Sequence, residues 1–169
     1  VKAAMFSFSR LKGADPVTGV EMSSTGEVGC LAPSFDEAFL LSMESSRIPL
    51  PKKGVLLSAG SYKEKVKILE FLPAVVKLGL PIYATKGTSK FLTECDIPNL
   101  ALAWPGEGDY DVIKAIHDKK VDLVINIPKN QKSRELTRGY QIRKASVEHS
   151  AALLTNAEKT MAYLKALED

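Results

Sequence analysis

From residue 54 onward, short apolar runs alternate with stretches whose apolar positions recur every three or four residues. Gly54-Val55-Leu56-Leu57-Ser58 reads as a buried strand. Between Lys63 and Leu78 the residues Val66, Ile68, Leu69, Leu72, Val75, Val76 and Leu78 have helical spacing, which predicts one helix, kinked at Pro73 and stopped by Gly79. Pro81–Thr85 is a second strand, Thr88–Glu94 a short helix and Leu100–Ala103 a third, weaker strand. A helix over Asp111–His117 precedes Asp122–Ile127, the clearest strand, with its β-branched centre. Arg134–Val147 is mostly helical but interrupted by Gly139. Ala152–Leu154 is a fifth strand, and Asn156 caps a helix running to about Leu167.

Residues 1–50 follow another pattern. They are loop-rich until Ser34 or Asp36, which can cap a helix carrying Phe35, Ala38, Phe39, Leu40, Leu41 and Met43. Ile48-Pro49-Leu50-Pro51-Lys52-Lys53 then breaks regular structure, as a boundary between two units would. Strands separated by helices imply a parallel sheet covered on both faces. The expected fold is therefore α/β: a doubly wound, five-stranded parallel sheet over residues 51–169, with residues 1–50 as a loop-rich appendage. Ligands in such folds bind beyond the carboxyl ends of the strands. That rule selects the loops 58–63, 85–88, 103–108 and 126–132.

Composition narrows the function. A formal charge of +3 is too small for a nucleic-acid binder. No apolar run approaches the roughly 20 residues of a membrane span, and no nucleic-acid or membrane partner is expected. The two cysteines, Cys30 and Cys95, lie far apart, which excludes a cysteine-built zinc site and fits reduced thiols in a cytosol-like compartment. The chain opens at Val1 with no initiator methionine or signal-peptide pattern, and reads as a piece of a longer polypeptide.

The selected loops are rich in recognition groups. Thr85-Lys86-Gly87-Thr88 joins a strand to a helix; its hydroxyls and helix N-terminal amides suit an oxyanion, or it is simply a turn capped by threonine. Lys63 stands at a helix start beside Ser58, Gly60 and Ser61. A cation there opposes the helix dipole unless an anion or water accompanies it. Trp104, the sole tryptophan, closes the third strand as a pocket lid or as a plug. Asn126-Ile127-Pro128-Lys129-Asn130 adds two amides and an ammonium. Lys132, Arg134, Arg138, Arg143 and Lys144 read as a solvated helix face, from which one could still reach an anionic ligand. His117 and His149 sit away from all four loops, and Glu107 and Asp109 are the only carboxylates near a strand end. No metal motif, nucleophile elbow or Walker-type loop is present. A proton-transfer enzyme needs a titratable group in its site, so the loops are suited to binding an anion and not to converting one. No catalytic and no metal-ligating residue is expected.

Several strings resemble the C-terminal region of carbamoyl-phosphate synthetase large subunits. Asp15-Pro16 and Glu21-Met22-Ser23-Ser24-Thr25-Gly26-Glu27-Val28 resemble the end of the second ATP-grasp domain of that family, and Phe35–Ser46 its following helix. From Gly54 onward, Ala84-Thr85-x-Gly87-Thr88, Val124-Ile125-Asn126, Tyr140-x-Ile142-Arg143-Lys144 and Leu154-Thr155-Asn156 are similar, in order, to the methylglyoxal-synthase-like domain that ends the subunit. The resemblance implies a non-catalytic allosteric domain within an ATP-dependent ligase that makes carbamoyl phosphate from glutamine or ammonia and bicarbonate for arginine or pyrimidine synthesis. It implies effector contacts at Ser58, Lys63, Thr85, Lys86, Gly87, Thr88, Trp104, Asn126, Lys129 and Asn130, and an ornithine site at the domain junction with Glu21 and Thr155.

It also implies ATP with Mg or Mn, and K, for the parent enzyme but no cofactor for this region. The implied partners are the remainder of the large subunit, a glutaminase subunit or domain, a small-molecule effector and a possible second copy of this domain. The implied location is cytoplasmic, or the mitochondrial matrix for an animal ureagenic parent. Nucleotide-regulated relatives carry Asn-Lys where Ala103-Trp104 stands and threonines where Ile127-Pro128 stands. Trp104, Asn126 and Pro128 resemble the N-acetylglutamate-responsive version, whose asparagines are replaced here by Lys129 and Gly139. UMP, IMP and N-acetylglutamate thus all remain candidate effectors. The alternatives are a methylglyoxal synthase or purine cyclohydrolase-type enzyme, and an assembly module that binds no ligand.

Overall fold

The computed structural model describes residues 1–7, 13, 15–16, 24–128 and 138–168. Its centre is a parallel sheet of β3 (Val55–Ala59), β4 (Ile82–Thr85), β5 (Leu100–Leu102), β6 (Leu123–Ile127) and β7 (Ala152–Leu154), in the order β5-β4-β3-β6-β7. The chain moves outward from β3 through β4 to β5, then returns to the other side of β3 as β6. That reversal creates a switch point between β3 and β6, where neighbouring strand ends leave a crevice. Their register pairs Ser58 with Asn126 and Ala59 with Ile127.

Side chains alternate between the two faces of the sheet, as the two-residue strand repeat requires. Val55, Leu57, Leu123 and Ile125 join one apolar cluster with Ile68, Leu72, Val75, Phe91, Leu92 and Tyr163. Leu56 and Val124 face a second cluster with Val112, Ile116, Ile142 and Ala145. The helices behind the first cluster include α2 (Tyr62–Leu69), α3 (Leu72–Lys77), α4 (Lys86–Glu94) and α7 (Ala157–Ala166); those behind the second are α5 (Val112–His117) and α6 (Arg138–Glu148). The doubly wound, five-stranded α/β architecture expected from the sequence is the one observed.

Two local expectations change. The single helix over 63–78 is two helices, because the chain turns at Glu70–Phe71, where Phe71 N–H bonds to Ile68 O at 3.0 Å. Pro73 therefore sits in the first turn of α3, where a missing N–H costs nothing, and it kinks no helix. Gly79 ends α3 at φ 70°, as its position suggested. Gly139 falls in the first turn of α6 and does not interrupt it; residues 134–137 lie outside the described residues.

The first 50 residues are also more regular than their composition suggested. β1 (Lys2–Met5) pairs antiparallel with β2 (Gly26–Gly29), bridged by Lys2 and Glu27 at 2.8 Å. Ala3 of this ribbon is buried in the first cluster with Phe39, Met43 and Ile48. α1 (Phe35–Ser45) starts at Ser34, whose Oγ accepts the Glu37 N–H at 3.2 Å, with Asp36 and Glu37 in the dipole-favoured first turn. It packs on α7.

The segment after α1 is fastened at several points. Ile48 is buried, and the buried Tyr163 hydroxyl donates to Pro49 O at 2.9 Å. Burial pushes that phenol's pKa up, keeping it a donor. The Asp122 carboxylate accepts the N–H groups of Lys52 at 2.7 Å, Lys53 at 3.1 Å and Gly54 at 3.2 Å. Gly54 is required there: a Cβ would stand 2.8 Å from Lys120 O.

Candidate functional site

The carboxyl ends of β3, β4 and β6 open into one cavity of about 280 Å³. It lies at the switch point, where fold geometry alone would place a ligand. Ser58 and Asn126, paired in register one residue before the ends of β3 and β6, bring buried polar side chains to the cavity. Thr85 ends β4 and begins α4. Its hydroxyl does not cap the helix; it donates to Ser58 Oγ at 3.3 Å. The capped-turn reading of Thr85 therefore fails, and among the described residues no side-chain cap is made at the α4 N-terminus, which opens on the cavity beside Gly87. A Cβ on Gly87 would meet nothing within 4 Å, so its surroundings are open. Thr88, one turn into α4, accepts the Ala59 N–H at 3.2 Å and so pins the end of β3 to α4.

Apolar walls complete the cavity. Ala59, Ile127, Pro128 and Trp104 line it, and Trp104 is half-buried with its ring against the α5–α6 cluster. Trp104 thus combines the two roles left open for it, as a wall of the pocket and a packed side chain.

Among the described residues, two cations line the cavity. Lys65 Nζ donates to Gly87 O at 2.9 Å. Arg143, only 2% exposed, donates from Nη1 to Asn126 Oδ1 at 2.8 Å and from Nε and Nη2 to the Asp15 carboxylate, both at 2.6 Å.

Neither had been placed in the site by the sequence. Lys63 is exposed in the first turn of α2 and does not line the cavity. Two helical residues differ by about 200° around the axis, so the turn that presents Lys65 to the cavity points Lys63 away. Arg143 is not on a solvated face: Ile142, Arg143, Ala145 and Ser146 form the buried side of α6. The signal was present in the run Ile142-Arg143-x-Ala145-Ser146, which places Arg143 one helical turn from a small buried serine. Its partner Asp15, 128 residues distant, gave no local signal.

The remaining expected residues scatter. Lys86 is exposed and bonds to Glu107 Oε2 at 3.3 Å, while Arg138 reaches Glu107 Oε1 at 2.5 Å. Arg138 first, then Lys86, holds the Glu107 carboxyl below its ordinary range. Thr155 is half-buried just beyond β7 and is not among the cavity-lining residues. Glu21, Lys129 and Asn130 lie outside the described residues.

Asp111 is structural. Burial pushes its pKa up, but the Lys114, Gly106 and Ile113 N–H groups outweigh that and hold it low. His117 and His149 meet edge-on with ring centroids 5.1 Å apart at the far ends of α5 and α6. Among the described residues, no histidine or carboxylate lines the cavity, and no three His, Cys, Asp or Glu side chains are placed to hold a metal.

A conserved-domain family described as "MGS-like domain" matches residues 67–155, which includes β4 to β7 and most of the cavity. The chain belongs to the MGS-like domain family. Over 99% of its length, this MGS-like chain is 39% identical to the "Multifunctional protein pyr-3" of Neurospora crassa and 39% identical to the "Multifunctional protein CAD" of Squalus acanthias. It is 34% identical, again over 99% of its length, to the "Carbamoyl-phosphate synthase [ammonia], mitochondrial" of Rattus norvegicus. The match covers 10%, 8% and 11% of those proteins, so the chain spans about a tenth of the relatives' length. No helix among the described residues is long and apolar enough to cross a membrane.

Proposed function

We propose that this MGS-like domain is the effector-binding regulatory region of a carbamoyl-phosphate synthetase, and that its ligand is a small organic anion held in the β3–β4–β6 cavity. The observation that carries this reading is the convergence of Ser58, Thr85, Thr88, Asn126, Lys65 and Arg143 on one crevice. Hydroxyl, amide and cationic donors around an apolar wall are the chemistry of anion recognition. Among the described residues no histidine or carboxylate lines the cavity, and the Lys65 ammonium there is engaged with Gly87 O, which disfavours a methylglyoxal synthase or cyclohydrolase activity. The candidate effectors are UMP, IMP and N-acetylglutamate. Trp104, Asn126 and Pro128, the lining residues that resemble the acetylglutamate-responsive version, make N-acetylglutamate the first to test.

In this reading residues 1–50 are the end of an ATP-grasp domain and residues 51–169 the effector domain, with ornithine near Thr155 and Glu21 at their junction. The rest of the synthetase and a glutaminase subunit or domain are the partners, and a second copy of this domain is a further one. ATP, Mg or Mn, and K belong to the synthetase core. The parent serves pyrimidine or arginine synthesis, in the cytoplasm or a mitochondrial matrix.

Titration calorimetry with UMP, IMP, ornithine and N-acetylglutamate tests the reading. Binding of one acid by the wild-type chain, lost in Asn126→Ala, is the expected result. Absence of binding by all four, or turnover of dihydroxyacetone phosphate to methylglyoxal, overturns it.

A further inference from the structure

Arg143 is buried, yet its partners come from two different parts of the chain. Asn126, on β6, takes one N–H and itself lines the cavity. Asp15, in the N-terminal region, takes the other edge of the guanidinium in a two-point fork, at 2.6 Å on each arm. The buried cation cannot move into water without abandoning Asn126. Asp15 is the more accessible partner, its side chain 17% exposed against 2% for Arg143. The planar fork that grips Asp15 grips any carboxylate or phosphate equally well, and Arg143 also faces the cavity.

We propose that Arg143 is the residue that holds the acidic group of the effector, and that this group competes with the Asp15 carboxylate for the same fork. The inference rests on the functional reading above and extends it. Occupancy of the cavity is then read directly by the N-terminal region: an anion on Arg143 releases Asp15, and Asp15 on Arg143 opposes the anion. Because coupling between two binding events is reciprocal, the strength of the Asp15 contact sets the affinity for the effector. Specificity follows too. A ligand bearing a planar or tetrahedral acid displaces Asp15, whereas a neutral analogue of the same size does not.

The test uses the full chain with N-acetylglutamate and inorganic phosphate as probes, measured by titration calorimetry. Asp15→Asn should bind the responsive probe about five- to tenfold more tightly than wild type, at the lower end of ordinary allosteric coupling. Because Asp15→Asn also strips a buried cation of its partner and can unfold the chain, the wild-type protein is read in parallel by NMR with ¹³C-labelled aspartate. Saturation with the probe should move the Asp15 carboxylate resonance to that of a solvated carboxylate. A saturated wild-type protein whose Asp15 resonance stays in place, or an Asp15→Asn affinity within twofold of wild type, overturns the competition while leaving effector binding intact. Failure of both probes and of the four ligands above to bind defeats the functional reading and this inference together.

Discussion

Thr88 offers a direct measure of how far the cavity's recognition groups are also structural. Its Oγ1 accepts the buried Ala59 N–H at 3.2 Å, at the point where β3 leaves the sheet. Thr88→Val keeps the shape but removes that acceptor, and the valine methyl also displaces water from the spot. A buried N–H left without a partner costs about 1–3 kcal/mol. Taking about 2 kcal/mol, and about 2–4 °C per kcal/mol for a domain of this size, the melting temperature should fall by about 4–8 °C. Thr88→Ser keeps the oxygen and loses one methyl, worth about 1 kcal/mol, so it should fall by only about half as much. Urea unfolding followed by far-UV circular dichroism and by Trp104 fluorescence separates the two variants. Equal losses for valine and serine, or no loss for valine, would refute the role given to the hydroxyl and reduce Thr88 to a packing contact of the helix.

The other expectations concern the frame around the cavity. Tyr163→Phe removes the donor to Pro49 O and leaves that carbonyl to water or to nothing, so stability should drop by about 1 kcal/mol in urea titrations without loss of fold. Asp111→Ala strips the α5 N-terminus of its acceptor for Ile113 and Lys114 and frees Gly106 N–H, lowering stability by about 1–2 kcal/mol. The depressed Asp111 pKa has a pH signature. Its contribution is complete above the unfolded carboxylate pKa and is lost as pH falls through the lower folded value. Unfolding free energy measured from pH 6 to pH 2 should therefore decline on the acid side, and Asp111→Asn should lose part of that slope.

Much of the fold was legible because buried parallel strands declare themselves as apolar runs. Leu123–Ile127 and Ala152–Leu154 could be bounded almost to the residue. Ser58, Thr85 and Asn126 were legible for the same reason: each is the polar residue that ends such a run, and the sheet brings those ends together. What escaped was set by phase or distance. Lys63 and Lys65 are indistinguishable in sequence until the helix start fixes which one faces the crevice. The β1–β2 ribbon pairs four-residue segments some 20 positions apart, with no apolar alternation to announce them. Arg143 looked like one more basic residue in a basic stretch, since a charge is normally kept in water; only the converging Asn126 and Asp15 make its burial tolerable.

The fastening of residues 48–54 carries a mechanical consequence. Tyr163 grips one stretch of this strap and Asp122 the next, while two prolines stiffen the span between. Such a strap has no slack to take up. Any tilt of the sheet is handed to the preceding helix as a tilt, in the way a hinge pin passes torque from door to frame.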